Sequence, residues 1–370
     1  MNRIVIGGDF CPTAKTISEN CFREISTIFR QADLRIVNFE CAITDTQCIP
    51  IKKEGPVLQC TQEQFKQLLK TEANLVTLAN NHILDLGEEG LKNVVSACEN
   101  NGIQHVGVGK NIEYSKRTFF YQNIAIINCC EQEFSIADKD HYGANHASPI
   151  SIYSQIQEAR KKSNCVIVIV HGGIEYYQLP SPYTQDLYRF FIDAGAAVVV
   201  GHHPHCYSGA EKYHHGYIYY SLGNLFFDNG SKEHTIWNDG FLLKLEINEE
   251  GTVIENKIIP YIQCCEKVEI RFLEGDDFLK FQSDFENLSK IIADRKELEE
   301  QYNTYCFHQQ RKSLSRILPY SNKILVGLYK RGWIPSFLNS KMIISLLNAI
   351  RCESHRDILI RNLETIYNKI

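Results

Sequence analysis

Asn80-Asn81-His82-Ile83-Leu84-Asp85-Leu86-Gly87 gathers two amides, an imidazole and a carboxylate in one short stretch. Asn and His side chains offer neutral oxygen and nitrogen donors to a metal, and a nearby Asp can fix the imidazole's tautomer or orientation. Elsewhere Asp9, Glu40, His171, His202 and His205 each follow an apolar run. Carboxylate and amide oxygens mixed with imidazoles suit Mn²⁺, Fe or Zn²⁺ better than Ca²⁺. The set is too large for one catalytic ion, which keeps positions open for water and substrate. Two divalent ions ~3.5–4 Å apart, sharing one carboxylate, would use it. Plainer roles exist for each residue: a helix cap with a surface His, a turn Asp, a solvated Glu at a strand end, a satisfied core His. His203 is left outside the ligand set, because it can point away from its neighbours.

The elements that must position these donors are legible as short apolar runs. Arg3–Gly7, Leu34–Phe39, Leu75–Ala79, Cys165–Val170 and Ala196–Val200 are too short for helices and suit buried strands. Each ends on a candidate ligand: Asp9, Glu40, Asn81-His82, His171, and His202 with His205. In α/β folds the C-terminal ends of neighbouring strands converge, and ligands bind there. Thr61–Lys70, Glu88–Asn101, Ser151–Lys162 and Tyr183–Ala194 read as the intervening helices, with Thr61 as a cap. Phe119–Asn128 reads as a hairpin turning near Gln122-Asn123, and Ile136–Pro149 as a loop over the site. Phe241–Ile247 and Val253–Ile262 alternate as antiparallel strands around Glu249-Glu250-Gly251. Gly107-Val108-Gly109-Lys110 lacks the ending of a phosphate loop and reads as a turn.

The character changes near residue 265, which sets two regions: 1–265, and a basic helical region over 266–370. Asp276–Tyr302 reads as one charged helix. Ser313–Ile370 reads as short helices broken at Pro319, Gly332 and Pro335. Between Arg311 and Arg361 ten Lys and Arg face two acids, although the whole chain of 370 residues carries −5. This tail can dock on the acidic body, bind a polyanionic polymer, or touch a membrane surface through Tyr329, Trp333, Ile334 and Phe337. The acidic body argues against nucleic acid. The N-terminal residues lack the apolar core of a signal peptide, and no run is long enough to span a bilayer. Fourteen cysteines without a CxxC pair fit a reducing cytosol, so a cytoplasmic protein is expected.

The ordered set Gly8-Asp9, Asn38-Phe39-Glu40, Ala79-Asn80-Asn81-His82 with Asp85 and Gly87, His171-Gly172-Gly173-Ile174-Glu175-Tyr176, Gly201-His202-His203-Pro204-His205, and Ser221-Leu222-Gly223-Asn224 with Phe227-Asp228 resembles the CapA family of poly-γ-glutamate and capsule-biosynthesis proteins. That family lies within the metallophosphatase-like superfamily. The resemblance covers roughly residues 1–240. It implies an α/β, four-layer αββα sandwich with the metal centre at one edge. It implies Asp9 and His205 on a first ion, Glu40 bridging, and Asn81, His171 and His202 on a second. His82, steadied by Asp85, would be the general acid or transition-state stabiliser. Asn80, Glu175, Asn224 and Asp228 would contact substrate. A departure stands at Cys11, where wider phosphoesterases place a His two residues after the first Asp. Gly172 likewise stands where the family often has Trp.

The function implied is a phosphoesterase-like hydrolase of capsule or surface-polymer biosynthesis, acting on a phosphorylated or polymeric anionic substrate. Its two divalent ions would bind phosphoryl oxygens and lower the pKa of a shared water, and the hydroxide would attack phosphorus in line. The alternative is a metal-containing scaffold that binds polymer without hydrolysing it.

Overall fold

The computed structural model describes residues 1–314 except 15, 16, 19 and 54, together with 324, 333 and 339–367. In chain order its strands are β1 (Asn2–Cys11), β2 (Leu34–Phe39), β3 (Ala42–Ile43), β4 (Gln59–Cys60), β5 (Leu75–Thr77), β6 (Gln104–Val106), β7 (Val108–Gly109), β8 (Phe119–Tyr121), β9 (Ile124–Cys130), β10 (Gly143–Ala144), β11 (Cys165–His171), β12 (Val198–His202), β13 (Ala210–Tyr213), β14 (Gly216–Tyr219), β15 (Asn224–Phe227), β16 (Asp239–Ile247), β17 (Val253–Gln263) and β18 (Ile270–Phe272). The helices are α1 (Arg23–Phe29), α2 (Gln62–Leu69), α3 (Gly87–Asn100), α4 (Ile112–Ser115), α5 (Pro149–Arg160), α6 (Pro182–Asp193), α7 (Gly275–Ala293), α8 (Arg295–Leu314), α9 (Ser340–Arg351) and α10 (Glu353–Tyr367).

Two mixed sheets carry the site. One runs β18-β17-β16-β1-β2-β5-β6, with β15 pairing to β1, and the other β13-β14-β12-β11-β9-β8. Side chains alternate across a strand, and here both faces are apolar, so each sheet is covered on both sides. Ile4, Ile6 and Ile36 of the first sheet meet Ile126, Ile167, Ile169 and Val200 of the second in a shared core. Their neighbours point outward. Val5, Val37 and Val76 pack on Phe29, Phe65, Leu91 and Val94 of the α1–α3 layer. Val166, Val168 and Val199 pack on Ile152, Ile156 and Phe191 of α5 and α6. The result is the four-layer αββα sandwich expected from the sequence.

Local signals set several boundaries. Thr61 and Gln64 exchange hydrogen bonds in a capping box at α2. Ser181 accepts from Thr184 N, with Pro182 opening α6. The hairpin Phe119–Asn128 is present as β8 and β9, turning at Gln122 with φ 50°. The Gly107 region is a turn into β7, as expected. Where β1 meets β15, a Cβ on Gly8 would lie 1.8 Å from Gly223 O, so that crossing admits glycine alone.

The single helix expected over Asp276–Tyr302 is two. Asp294 leaves the helical conformation, and its Oδ1 accepts from Lys296 N and Glu297 N, capping α8. Neither helix is detached from the sandwich. Phe281 of α7 packs among Tyr207 and Phe241, and Leu298 of α8 joins the α5–α6 core. Of the tail, Pro319, Gly332, Pro335, Tyr329, Ile334 and Phe337 lie outside the described residues. Trp333 is exposed. Among the described residues no helix is long and apolar enough to cross a membrane. All fourteen cysteines are unpaired.

Phe226 is fully buried between Phe10 and Phe22 beneath the site strands. Phe226→Ala should therefore cost ~3–5 kcal/mol in denaturant titration. Phe190→Ala, at a partly exposed ring on α6, should cost well under half of that.

Candidate metal centre

Strand registry delivers the donors. Asp9 of β1 is aligned with Asn38 of β2 on one side and Asn224 of β15 on the other. In the second sheet His171 of β11 is aligned with His202 of β12. Asp9, Glu40, His171, His202, His203 and His205 are all at most 4% exposed, and all gather at one edge of the sandwich. One oxygen of Asp9, one of Glu40 and a nitrogen of His171 lie within 4.8 Å of one another. Glu40, His203 and His205 form a second such group. Two ligand groups sharing one carboxylate is the arrangement of a dinuclear site.

The grouping differs from the partition implied by resemblance. His171 sits with Asp9 rather than only with Asn81, and His203 joins His205. His203, which the sequence leaves outside the ligand set, lies within this second group. The chain turns at φ 95° there and again at φ 56° for His205, both in the left-handed region. Side-chain alternation along β12 therefore stops, and Gly201–His205 aims more than one imidazole inward. The His203 amide also donates to Asp9 Oδ2 at 3.1 Å. His202 Nδ1 stands 3.3 Å from Asp9 Oδ1. Asn81 Oδ1 is 3.1 Å from His171 Nε2.

Amides hold the ligands in place. Asn38 donates to Asp9 Oδ1 at 2.7 Å, lies 3.1 Å from His171 Nδ1, and accepts from Thr77 Oγ1. Asn224 Oδ1 is 2.9 Å from His205 Nδ1, which directs the Nε2 edge of the ring toward Glu40. Asn224 Nδ2 meanwhile donates to the His205 and Trp237 carbonyls. Asn80 accepts from His82 N and donates to Phe39 O. Both polar ends of Asn80 and Asn224 are thus engaged in the protein, and both residues are fully buried. The Asn80 amide serves backbone groups, and the Asn224 amide serves the His205 ring and two backbone carbonyls. Asp228 accepts from Gly230 N in the turn after β15. Of the four residues assigned to substrate, Glu175 lines a cavity beside His203.

His82 and Asp85 form a dyad, with Nδ1 to Oδ2 at 2.7 Å. Lys53 joins it, its Nζ 2.5 Å from Asp85 Oδ1 and 3.0 Å from His82 Nδ1, with its side chain almost wholly buried. No local pattern marks Lys53, which lies in a loop between Pro50 and Pro56. Asn38 could have been found by period-two alternation from Glu40, and Glu131 by the rule that apolar strands here end on donors. Cys11 is buried against Cys41, burial pushes its thiol up, and it belongs to neither ligand group.

Titration follows from burial and crowding. Burial pushes Glu40 up to about 8. Burial pushes His171 down to about 3, so it is neutral. Burial opposes the charge on His205 as well, but Glu40 and Asp9 outweigh it and hold the ring up to about 10. Burial would likewise raise Asp9, yet His202 and His205 outweigh it and keep that carboxyl well below its usual range. Both Glu40 oxygens lack a hydrogen-bond partner, as does His202 Nε2. Buried carboxylate oxygens without donors are costly, and a divalent cation would satisfy them. The donor set therefore fits a metal pair.

The bacterial capsule synthesis protein PGA_cap model matches residues 4–229. The chain is 32% identical over 255 residues to the capsule biosynthesis protein CapA of Bacillus anthracis, covering 65% of this chain and 61% of that one. It is 30% identical over 242 residues to the PGA biosynthesis protein CapA of Bacillus subtilis (strain 168), covering 64% and 63%. The chain thus spans somewhat over three-fifths of the length of these relatives. Among solved structures, a 5'-nucleotidase precursor from Thermus thermophilus aligns with TM-score 0.44 at 14% identity, over 76% of this chain and 57% of that chain. A putative 5'-nucleotidase from Staphylococcus aureus aligns with TM-score 0.43 at 15% identity, over 80% and 58%.

Two outcomes follow. Asn38→Ala should weaken Mn²⁺ binding about 10–100-fold in calorimetric titration, as loss of ligand-orienting partners does; unchanged affinity would deny Asn38 that part. Burial pushes Glu40 up to about 8, and the Glu40 charge helps hold His205 up to about 10, so at pH 7 the pair shares at least one proton that it must shed to ligate. Mn²⁺ binding at pH 7 should release protons, and its affinity should climb from pH 7 toward pH 10. Calorimetry in buffers of different ionisation enthalpy reads both.

Proposed function

The chain belongs to the bacterial capsule synthesis protein PGA_cap family, and from that premise we propose that it is a metal-dependent phosphoesterase-like hydrolase of capsule or surface-polymer biosynthesis. Its substrate is a phosphorylated or polymeric anion. The observation that carries this reading is Glu40, fully buried, with two unpartnered oxygens, at the junction of two ligand groups. Asp9, Glu40, Asn81, His171, His202, His203 and His205 would hold two divalent ions, Mn²⁺, Fe or Zn²⁺. When bound, such a pair supplies positive charge to phosphoryl oxygens and lowers the pKa of a shared water to near neutral.

The chain's own residues do the rest. His82, oriented by Asp85 Oδ2 at 2.7 Å from its Nδ1, would serve the leaving oxygen through its Nε2 edge. Lys53 binds the other Asp85 oxygen and balances the charge of that carboxylate. Asn38 and Asn224 fix the bearings of Asp9 and His205. Glu175 and Tyr176, on the cavity wall beside His203, contact the substrate body. Free cysteines support a reducing compartment, here the cytoplasm.

The purified chain should contain divalent metal and hydrolyse a chromogenic phosphodiester when Mn²⁺ is added. Asn81→Ala and His171→Ala should lose both metal and turnover. His82→Ala should keep its metal and lose ~10²–10⁴-fold in rate. Metal without turnover in the wild type would replace the hydrolase with the polymer-binding scaffold, and no metal would remove both readings.

A further inference from the structure

Just past the end of β9, Glu131 and Glu133 meet the junction of α9 and α10. One oxygen of each and the Cys352 Sγ lie within 4.8 Å of one another. Glu131 is 7% exposed and Cys352 1%. Glu131 Oε2 is 2.6 Å from Ser354 Oγ, whereas Oε1 has no hydrogen-bond partner and stands 3.6 Å from His203 Nε2. Lys53 faces Glu133, but its ammonium is already bound to Asp85 at 2.5 Å.

Two carboxylates and a sulfur crowd a corner where Glu131 and Cys352 are buried and Glu133 is partly exposed, and one Glu131 oxygen is left without a donor, which fits a cation. We infer that Glu131, Glu133 and Cys352 form a further Zn²⁺ site, distinct from the strand-end pair, that fastens the C-terminal helices to the edge of the sandwich. The sulfur selects Zn²⁺ over Mn²⁺ or Mg²⁺. At the tetrahedral angle, Zn–S and Zn–O bonds of about 2.3 and 2.0–2.2 Å set neighbouring ligand atoms roughly 3.3–3.7 Å apart. Atoms that lie within 4.8 Å of one another would close by up to about 1 Å on binding. A water completes the coordination. The position explains what Zn²⁺ would do. Glu131 and Glu133 belong to the sandwich, Cys352 to helices beyond the matched span that ends at residue 229. Ser354, two residues on, also reaches Gly173 O beside the site at 2.6 Å.

The test is cobalt titration of the metal-stripped, reduced full-length chain under anaerobic conditions. Cobalt bound to Cys352 gives a thiolate-to-metal charge-transfer band in the near ultraviolet, saturating at one equivalent; the strand-end ligands contain no sulfur and give none. Cys352→Ser should lose the band and one equivalent of bound Zn²⁺ per chain. Cys352→His, which can still ligate, should lose the band and keep the equivalent. Asp9→Asn should disturb the strand-end ions and leave the band, so failure of the hydrolase reading is separable. Zn²⁺ should also slow hydrogen exchange in α10 of the wild type but not of Cys352→Ser. A wild type without the band, or a band that survives in Cys352→Ser, overturns the site and leaves the Cys352 thiol a hydrogen-bond donor to Glu133.

Discussion

Two carboxyl groups, Asp9 and Glu40, are buried with no exposed surface at the edge of a sandwich whose core is largely aliphatic and aromatic. Taking such charges out of water costs several kcal/mol each unless they are paired. Among the described residues no Lys or Arg pairs with either of them. Their counterweights are imidazoles, which are neutral or charged depending on their neighbours. The sandwich must therefore hold several histidines within reach of two acids, and strand registry is what does so. A slip of one residue in β1 or β11 would turn Asp9 or His171 to the opposite face. Strands that are apolar on both faces resist such a slip poorly by pattern alone. Glycine crossings such as Gly8 against Gly223, and the Asn collar around the donors, supply the missing specification.

That collar shows why amides outnumber charges around the ligands. Asn38, Asn80 and Asn224 each offer a donor and an acceptor: Asn38 joins Asp9 to Thr77, Asn80 ties together two backbone groups, and Asn224 binds the His205 ring and two backbone carbonyls at once. A charged residue in the same place would add another buried ion. The segment Gly201–His205 shows the cost of the arrangement. His203 and His205 adopt left-handed backbone conformations, worth ~1–3 kcal/mol each in strain. The hydrogen bonds from His203 N to Asp9 and between His205 and Asn224 offset that strain locally. Strain of this kind marks sites where geometry is kept against backbone preference.

Much of the frame could be read from residue order because the relevant signals are local. Apolar runs, each ending on a donor, located β1, β2, β5, β11 and β12, and therefore Asp9, Glu40, Asn81, His171 and His202. What escaped has a physical reason in each case. His203 depends on a positive φ at a non-glycine residue, which composition does not announce. Asn80 and Asn224 look like substrate contacts in the motif, yet their amides face backbone groups and, at Asn224, the His205 ring, and only the fold shows that. Lys53 reaches Asp85 from a loop without periodicity. Glu131 escaped because Phe119–Asn128 was ended two residues before β9 ends. The break at Asp294 was visible in principle, since Asp favours a helix start, but a continuous charged pattern hid it.

The C-terminal helices change what the shared frame can mean. The cavity beside His203 has one wall from Gly173–Tyr176 and the other from Tyr305, Ser354 and His355 of α8 and α10. Ile174 packs on Tyr302, Cys306 and Ile358, and Tyr302 donates to Asp357, so the two walls share a small core of their own. The ligand cluster belongs to the part of the chain that matches the family; the opposite wall does not. On the proposed hydrolase reading, chemistry at phosphorus would need the cluster alone, because it depends on charge and on a proton donor. Choice of substrate body depends on what flanks the phosphoryl group, and half of that surface is built by the helices. On the same reading, a chain that shared the first two hundred residues and differed afterwards would keep the cluster and change what is admitted to it. The helices act as a wall because they are anchored at Ser354 and Tyr302. A tail tethered only through α7 would leave the cluster open to water.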